Sequence, residues 1–146
     1  MKIFITGANG FLGQHLAIFL ASHNFEVIAS GRNNSVFTNY PSIKYVNLEL
    51  TDEENVLLIL QSIQPNFVIY AAAMSKPDVC DIEREKCILN NVFATENLVK
   101  AANAVAAKVI YVSTDFVFGE GGPHAEIDVP APLNFYGKSK LLAEQI

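Results

Sequence analysis

A glycine loop directly after the first apolar segment is the feature that most restricts how this chain can fold. The apolar run KIFIT is followed by TGANGFLG, which places Gly7, Gly10 and Gly13 between a predicted strand and a segment with helical spacing of apolar residues. Glycine permits positive φ angles and a close approach of backbone to a ligand. The free N–H groups at a helix start attract phosphate. A strand, glycine loop and helix in this order predict a dinucleotide-binding unit; a tight turn that merely requires glycine is the alternative.

Apolar runs then alternate with helical patterns along the chain. Runs that are apolar throughout are typical of strands buried on both faces of a parallel sheet. Strand, helix and strand at this spacing imply right-handed crossovers. We therefore predict an α/β fold with a doubly wound parallel sheet of the Rossmann type and five visible strands. The predicted strands are Lys2–Thr6, Phe25–Ser30, Ile43–Leu50, Phe67–Ala73 and Lys108–Thr114.

Three helices are predicted after the one that follows the glycine loop. The segment EENVLLILQSI begins after Thr51 or Asp52, either of which can cap it, and Pro65 breaks it. A long helix is expected over roughly Glu83–Val105, because apolar residues recur there at spacings of three and four. The last helix is expected from about Asn134.

The length of 146 residues, of which 51% are hydrophobic, fits one domain. We predict that residues 1–146 form one dinucleotide-binding domain that ends in the helix carrying Tyr136 and Lys140. No stop signal follows LLAEQI and no sixth strand follows the fifth. We therefore expect a chain truncated before the sixth strand, without a C-terminal substrate domain, and with the fifth strand as an exposed edge.

The charge and the cysteine content restrict the partners. A net charge of −5 gives no electrostatic reason to expect nucleic acid or an anionic membrane. No apolar stretch is long enough to span a bilayer and none precedes the first strand as a signal peptide, so the cytoplasm is the expected location. Cys80 and Cys87 are expected to be reduced and structural. The three histidines show no metal-ligand spacing, so no metal site is predicted.

The end of the second strand bears on the choice of dinucleotide. An acidic residue there often binds the adenosine ribose 2′-OH, whereas an arginine accommodates a 2′-phosphate. The sequence here is IASGRNN, with Arg32 and without a carboxylate. NADP(H) is therefore favoured over NAD(H); a solvated loop arginine is the alternative.

Tyr136 and Lys140 lie four residues apart in NFYGKSKLLAEQI and so share one helix face. We expect Lys140 to lie near the Tyr136 hydroxyl, directly or through a cofactor ribose, and to lower the pKa of the phenol. Such a tyrosine can exchange a proton with a carbonyl or alcohol oxygen. Without the glycine loop upstream, this spacing would indicate only an amphipathic helix.

Two further polar positions are candidates. Thr114 ends the fifth predicted strand, at the sheet edge where doubly wound folds bind ligands, and can hold a substrate oxygen beside Tyr136. Alternatively, Thr114 or Asp115 caps the local turn. Asn91 lies in the middle of the long predicted helix, where a polar residue is locally unfavourable. It either bonds a backbone group or a water behind the site or is simply exposed.

Together, TGANGFLG, NNVFATENL, STDFVF and YGKSK resemble the extended short-chain dehydrogenase/reductase family, in the same order. Within it, VSTDFVF followed by DVPAPLNFYGKSKLLAE is most similar to the dTDP-4-dehydrorhamnose reductases. The resemblance covers the whole chain but about the first half of such an enzyme. It implies NADPH-dependent reduction of the 4-keto group of a nucleotide-sugar, with a homodimer left open as the assembly.

The resemblance also implies a role for each matching residue. Tyr136 would be the proton donor, Lys140 would hold the nicotinamide ribose, Thr114 would orient the sugar carbonyl with Asp115 beside it, and Asn91 would support the proton relay. Cofactor contacts are implied at the pyrophosphate for Gly10, Phe11 and Leu12, at the adenine for Glu49 and Leu50, and along the ribose and nicotinamide for Ala71, Ala72 and Ala73. Gly7 and Gly13 are the other cofactor-site candidates of the glycine loop.

Two other functions stay open. A nucleotide-sugar epimerase or dehydratase of the same family would retain NAD, and a dehydratase needs extra carboxylates near the threonine, where Asp115 stands alone. The segments KPDVCDIE and DVPAPLNFYGKSKL are also similar to the regulatory β subunit of methionine adenosyltransferase, which implies a dinucleotide-binding partner protein in place of an enzyme.

Overall fold

The computed structural model describes residues 1–146. Its five strands form one parallel sheet in the order β3-β2-β1-β4-β5, which confirms the doubly wound α/β prediction. The first crossovers run to one side of β1 and the later ones to the other side. The strands are β1 (Lys2–Thr6), β2 (Glu26–Gly31), β3 (Ile43–Asn47), β4 (Phe67–Tyr70) and β5 (Lys108–Tyr111).

Helices cover both faces of the sheet, as a parallel sheet with apolar strands requires. One face packs against α2 and α5 around a core that includes Phe4, Leu60 and Leu98. The other face packs against α1 around Ile5 and Val27. No helix combines the length and apolar character needed to cross a membrane. The helices are α1 (Phe11–Ser22), α2 (Glu53–Ile63), α3 (Pro77–Ile82), α4 (Arg84–Ile88), α5 (Ala94–Ala104) and α6 (Phe135–Glu144).

Three strands end earlier than the sequence predicts. The ladder stops at one level, where Thr6 pairs with Tyr70 and Tyr70 pairs with Tyr111. β1 cannot continue because Gly7 turns the chain away with a φ of +64°. The residues that follow β3, β4 and β5 leave the ladder and become loops at the carboxyl edge of the sheet.

The single long helix predicted over Glu83–Val105 is wrong. Glu83, with φ −101° and ψ 57°, separates α3 from α4, and a π-helical segment (Leu89–Phe93) joins α4 to α5. α3 was not predicted, although Pro77 at its first turn is a recognised start signal. π-helical turns occur often at functional sites. This one contains Asn91, which is 1% exposed.

The remaining local predictions are confirmed. The Asp52 side chain accepts from the Asn55 backbone N–H and caps α2, and Asn134 caps α6 in the same way through Gly137. Cys80 and Cys87 are free thiols buried in a small cluster with Tyr136. β5 lies at the sheet edge, where Ile110 is half exposed.

Candidate functional site

The glycine loop packs so closely that side chains are excluded from two of its positions. A Cβ on Gly7 would lie 2.7 Å from the Ala71 carbonyl oxygen, and the φ angle of Gly7 is itself positive. A Cβ on Gly13 would lie 2.4 Å from the Gly7 carbonyl oxygen. Both distances are shorter than any van der Waals contact. The two glycines therefore bring the start of α1, the end of β1 and the segment after β4 into direct contact.

The N-terminus of α1 has the properties of an anion site. Its cap residue, Gly10, provides no side-chain hydrogen bond, and the first turn contains no acidic residue. The helix dipole and the first N–H groups are therefore available to a phosphate. Phe11 is 84% exposed, and the buried Oδ1 of Asn9 has no partner. The residues present thus fit the pyrophosphate of a dinucleotide.

A cavity of about 470 Å³ opens in front of this loop. Most of the predicted cofactor residues line it: Gly7, Gly10, Phe11, Leu12, Gly13, Arg32, Glu49, Leu50, Ala71, Ala72 and Ala73. Sequence reasoning missed other lining residues, namely Asn9, Ser30, Gly31, Asn33, Leu48, Ser75, Asn90 and Ala94. Asn90 could have been suspected from its place beside Asn91; Ser75 carries no signal of its own.

Arg32 spans one end of the cavity. Its Nη1 lies 3.8 Å from Glu49 Oε2 and donates to Asn90 Oδ1 at 3.2 Å. Asn47 in turn donates to the Arg32 carbonyl oxygen. The guanidinium therefore contacts the segment after β3 and the π-helical segment, while the Arg32 backbone is tied to the end of β3; the side chain is 61% exposed.

Tyr136 and Lys140 lie on α6, outside the lining of this cavity. The position of α6 depends on Gly137, because a Cβ there would lie 2.1 Å from the Phe116 carbonyl oxygen. This contact brings α6 against the short 3₁₀ turn Asp115–Val117 that follows Thr114. The Tyr136 and Phe116 rings meet edge to face with their centroids 5.8 Å apart.

Burial raises the pKa of Tyr136, and the Thr114 hydroxyl partly opposes this rise. The route through a cofactor ribose stays a prediction, whereas a direct lowering of the Tyr136 pKa by Lys140 is absent from this structure. The reason is the direction of the lysine side chain. Lys140 Nζ donates to the Val112 carbonyl oxygen at 2.7 Å and lies 3.9 Å from the centre of the Tyr111 ring.

Lys140 is itself almost fully buried, with 2% of its surface exposed. Burial lowers its pKa to about 8, although the carboxylate of Glu144 opposes the shift. Glu144 also accepts a hydrogen bond from Ser113 Oγ. The ammonium is therefore held by one carbonyl and one aromatic face at the carboxyl end of β5, beside the segment that carries Thr114.

Asn91 ties three parts of the site together. Its Oδ1 accepts from the Met74 N–H at 2.7 Å, and its Nδ2 donates to the Met74 carbonyl at 3.1 Å and to Ser139 Oγ at 2.9 Å. Ser139 Oγ donates to the Tyr136 carbonyl oxygen at 2.7 Å. The Asn91 carbonyl accepts from Thr95 Oγ1. The expected bond to backbone behind the site is confirmed, whereas sequence reasoning missed Ser139.

Thr114 caps the turn that follows it. Its hydroxyl accepts from the Phe116 N–H and donates to Asp115 Oδ1, both at 3.3 Å. The alternative read from the sequence, a local cap, therefore occurs at Thr114. It does not exclude substrate contact, since Thr114 is only half-buried beside Tyr136.

Comparison with known proteins places the chain in a family. The family described as RmlD substrate binding domain matches residues 1–146. The β subunit of methionine adenosyltransferase 2 from Xenopus tropicalis is 38% identical over 99% of this chain and 42% of its own length. The dTDP-4-dehydrorhamnose reductase of Aggregatibacter actinomycetemcomitans is 32% identical over 99% of this chain and 46% of its own.

Solved structures agree with this placement. A hypothetical dTDP-4-dehydrorhamnose reductase from Sulfolobus tokodaii superposes with a TM-score of 0.88 at 38% identity, over 99% of this chain and 51% of that one. This chain therefore spans about half the length of the relatives that it matches. Several solved proteins with the same fold contain NAD, one of them together with UDP-glucose.

The match over all 146 residues agrees with the glycine loop, the strand order and the Tyr136–Lys140 pair on α6. The chain belongs to the RmlD substrate-binding-domain family, within the extended short-chain dehydrogenases/reductases.

Proposed function

We propose that this chain is the dinucleotide-binding half of an NADPH-dependent reductase that acts on the 4-keto group of a nucleotide-sugar. The observation that carries the proposal is the position of Tyr136. It lies beside Thr114 at the carboxyl edge of the sheet and is 8% exposed, on a helix whose next turn holds a buried lysine. Parallel sheets of this type bind ligands at that edge.

Each residue has a separate task in this scheme. Bound NADPH supplies the hydride. Tyr136 donates a proton to the oxygen of the reduced carbonyl, and its raised pKa keeps that proton in place at neutral pH. Thr114 orients the carbonyl oxygen through its hydroxyl. Lys140 supplies a cation one helical turn from Tyr136, and the N-terminus of α1 holds the pyrophosphate.

The test is substrate-dependent oxidation of NADPH by the full-length gene product with dTDP-4-dehydro-6-deoxy-L-mannose. We expect loss of absorbance of the reduced nicotinamide. Tyr136→Phe should lower kcat by roughly a hundredfold or more, since general acid catalysis contributes on this scale. Dinucleotide affinity should change little in this variant. The reductase proposal fails if the wild-type protein shows no turnover.

A second function has specific support. The relatives at up to 38% identity include subunits that are named as part of methionine adenosyltransferase. On this alternative, the chain binds a dinucleotide and a partner enzyme without turning over a sugar. Binding of NADPH without nucleotide-sugar turnover, combined with co-purification with a methionine adenosyltransferase catalytic subunit, would favour it over the reductase.

A further inference from the structure

The Arg32–Glu49 ion pair lines the cavity just after the end of β2. In Rossmann folds the residue at the end of the second strand contacts the adenosine ribose of the dinucleotide. Nη1 of Arg32 is 3.8 Å from Glu49 Oε2, and both side chains line the cavity. Arg32 is the only arginine in the cavity lining, so a carboxylate beside it affects how strongly the site can bind a phosphate. An exposed pair of this kind is weak, so a ligand can exchange one partner for another.

Arg32 has a limited number of partners at this position. Its guanidinium donates to Asn90 Oδ1 at 3.2 Å in addition to facing Glu49. A 2′-phosphate is a stronger partner for a guanidinium than either, because the hydrogen bonds are charge-assisted and can be bidentate. When Arg32 turns its N–H groups towards a phosphate, however, Glu49 still lies beside the guanidinium, and its negative charge repels the phosphate. A ribose 2′-OH carries no charge and meets no such repulsion.

We propose that Glu49 is a specificity-determining residue that lowers the preference of this site for a 2′-phosphorylated dinucleotide by competing with the phosphate for Arg32. The inference rests on the proposed NADPH binding. Arg32 raises the affinity for NADPH relative to NADH, and Glu49 reduces that difference. The site therefore binds both dinucleotides with a smaller difference than Arg32 alone would produce.

The measurement is the dissociation constant of NADPH and of NADH, by calorimetry or nicotinamide fluorescence, for the wild-type protein and for Glu49→Gln. The substitution keeps the shape of the side chain and removes its charge. We expect NADPH to bind about threefold to fivefold more tightly in Glu49→Gln and NADH to change by less than about twofold, the scale of an exposed ion pair. Glu54→Gln is the matched control, because Glu54 is exposed on α2, changes the net charge equally and does not line the cavity.

A double-mutant cycle with Arg32→Ala shows whether Glu49 acts through the arginine. We expect Arg32→Ala to weaken the binding of NADPH but not that of NADH. In that background, Glu49→Gln should not change the ratio of NADPH affinity to NADH affinity. A change of equal size for both dinucleotides in Glu49→Gln, as a plain adenine contact predicts, would overturn the inference. So would a full gain in NADPH affinity in the Arg32→Ala background.

The failure of the inference and that of the proposed function give different results. If neither dinucleotide binds, or if Arg32→Ala leaves the ratio unchanged, the assignment of NADPH to this cleft is overturned together with the role of Glu49. If Arg32→Ala lowers the ratio and Glu49→Gln does not raise it, only the role of Glu49 is overturned.

Discussion

The side-chain amide of Asn91 donates a 2.9 Å hydrogen bond to the hydroxyl of Ser139, across 48 positions of sequence. Both residues are buried, at 1% and 0% exposure. Through this bond the π-helical segment holds α6, and the second bond of Ser139, to the Tyr136 carbonyl, holds the turn that carries the candidate proton donor. The π-helical turn is therefore a structural part of the candidate active site.

Replacement of Asn91 by alanine should destabilise the fold. The variant leaves the half-buried Met74 backbone groups without their partner and removes one hydrogen bond from the buried Ser139. Unsatisfied buried groups cost about 1 to 3 kcal/mol each, so we expect the free energy of unfolding to fall by about 2 to 4 kcal/mol. Urea denaturation measures the change. Asn103→Ala, on the exposed side of α5, is the control and should stay within about 0.5 kcal/mol.

Gly137→Ala should separate α6 from the turn after Thr114. The new Cβ would lie 2.1 Å from the Phe116 carbonyl oxygen, and this neighbour is backbone. Overpacking of this kind costs about 1 to 3 kcal/mol. We expect that loss in thermal or urea unfolding, together with lower turnover in the reductase assay. Lys138→Ala, an exposed position in the same helix, should change neither; wild-type stability in Gly137→Ala would contradict the packing described here.

Lys140 should make stability depend on pH in the alkaline range. Its pKa falls from 10.5 to about 8 on folding because of burial. Below pH 8 the folded protein bears the full cost of the buried charge; between pH 8 and 10.5 that cost disappears, because the folded lysine is neutral while the unfolded one is still charged. The wild-type protein should therefore gain stability relative to Lys140→Met as pH rises, by at most about 1.4 kcal/mol per pH unit.

Urea unfolding of both proteins at pH 7, 8, 9 and 10 measures this difference. The buried tyrosines titrate in both variants, so their contributions cancel. Parallel stability curves over this range would show that the pKa of Lys140 is not lowered.

Cys80 should resist alkylation in the folded protein. Burial raises the pKa of its thiol to about 12, so the reactive thiolate is scarce at neutral pH. Cys87 is equally inaccessible to the reagent, at 0% exposure. We expect mass spectrometry to find iodoacetamide on neither residue in the native protein near neutral pH, and on both residues in denaturing guanidinium chloride. Rapid labelling of the native protein would contradict the buried cluster.

Much of the fold could be read from local patterns. Neighbours in sequence determine three features. The glycine loop follows from a backbone that needs positive φ, and the apolar strands follow from burial on both faces. The Asp52 cap follows from a helix start whose backbone N–H groups lack acceptors. The cavity residues around the loop could also be predicted, because the carboxyl ends of parallel strands meet at one edge. The resemblance to the family motifs predicted the order of these elements along the chain.

The remainder depended on contacts between distant segments. Nothing local indicates that Glu83 interrupts the helix or that the π-helical turn points Asn91 inward, since Ser139 and Met74 provide the partners. The sequence places Lys140 one turn from Tyr136. The lysine side chain points to Val112 because the tertiary structure places that carbonyl oxygen within hydrogen-bond distance of the buried ammonium.

By itself, then, the sequence determined a parallel α/β sheet with a glycine loop after its first strand and a tyrosine and a lysine on one helix face, because each of these follows from short-range backbone and side-chain periodicity. Only the tertiary structure decided the electrostatics of the site. Desolvation is set by all neighbouring segments together, and here it raises the pKa of Tyr136 and lowers that of Lys140. The pairing of Arg32 with Glu49 depends instead on the ends of β2 and β3 meeting at one edge of the sheet.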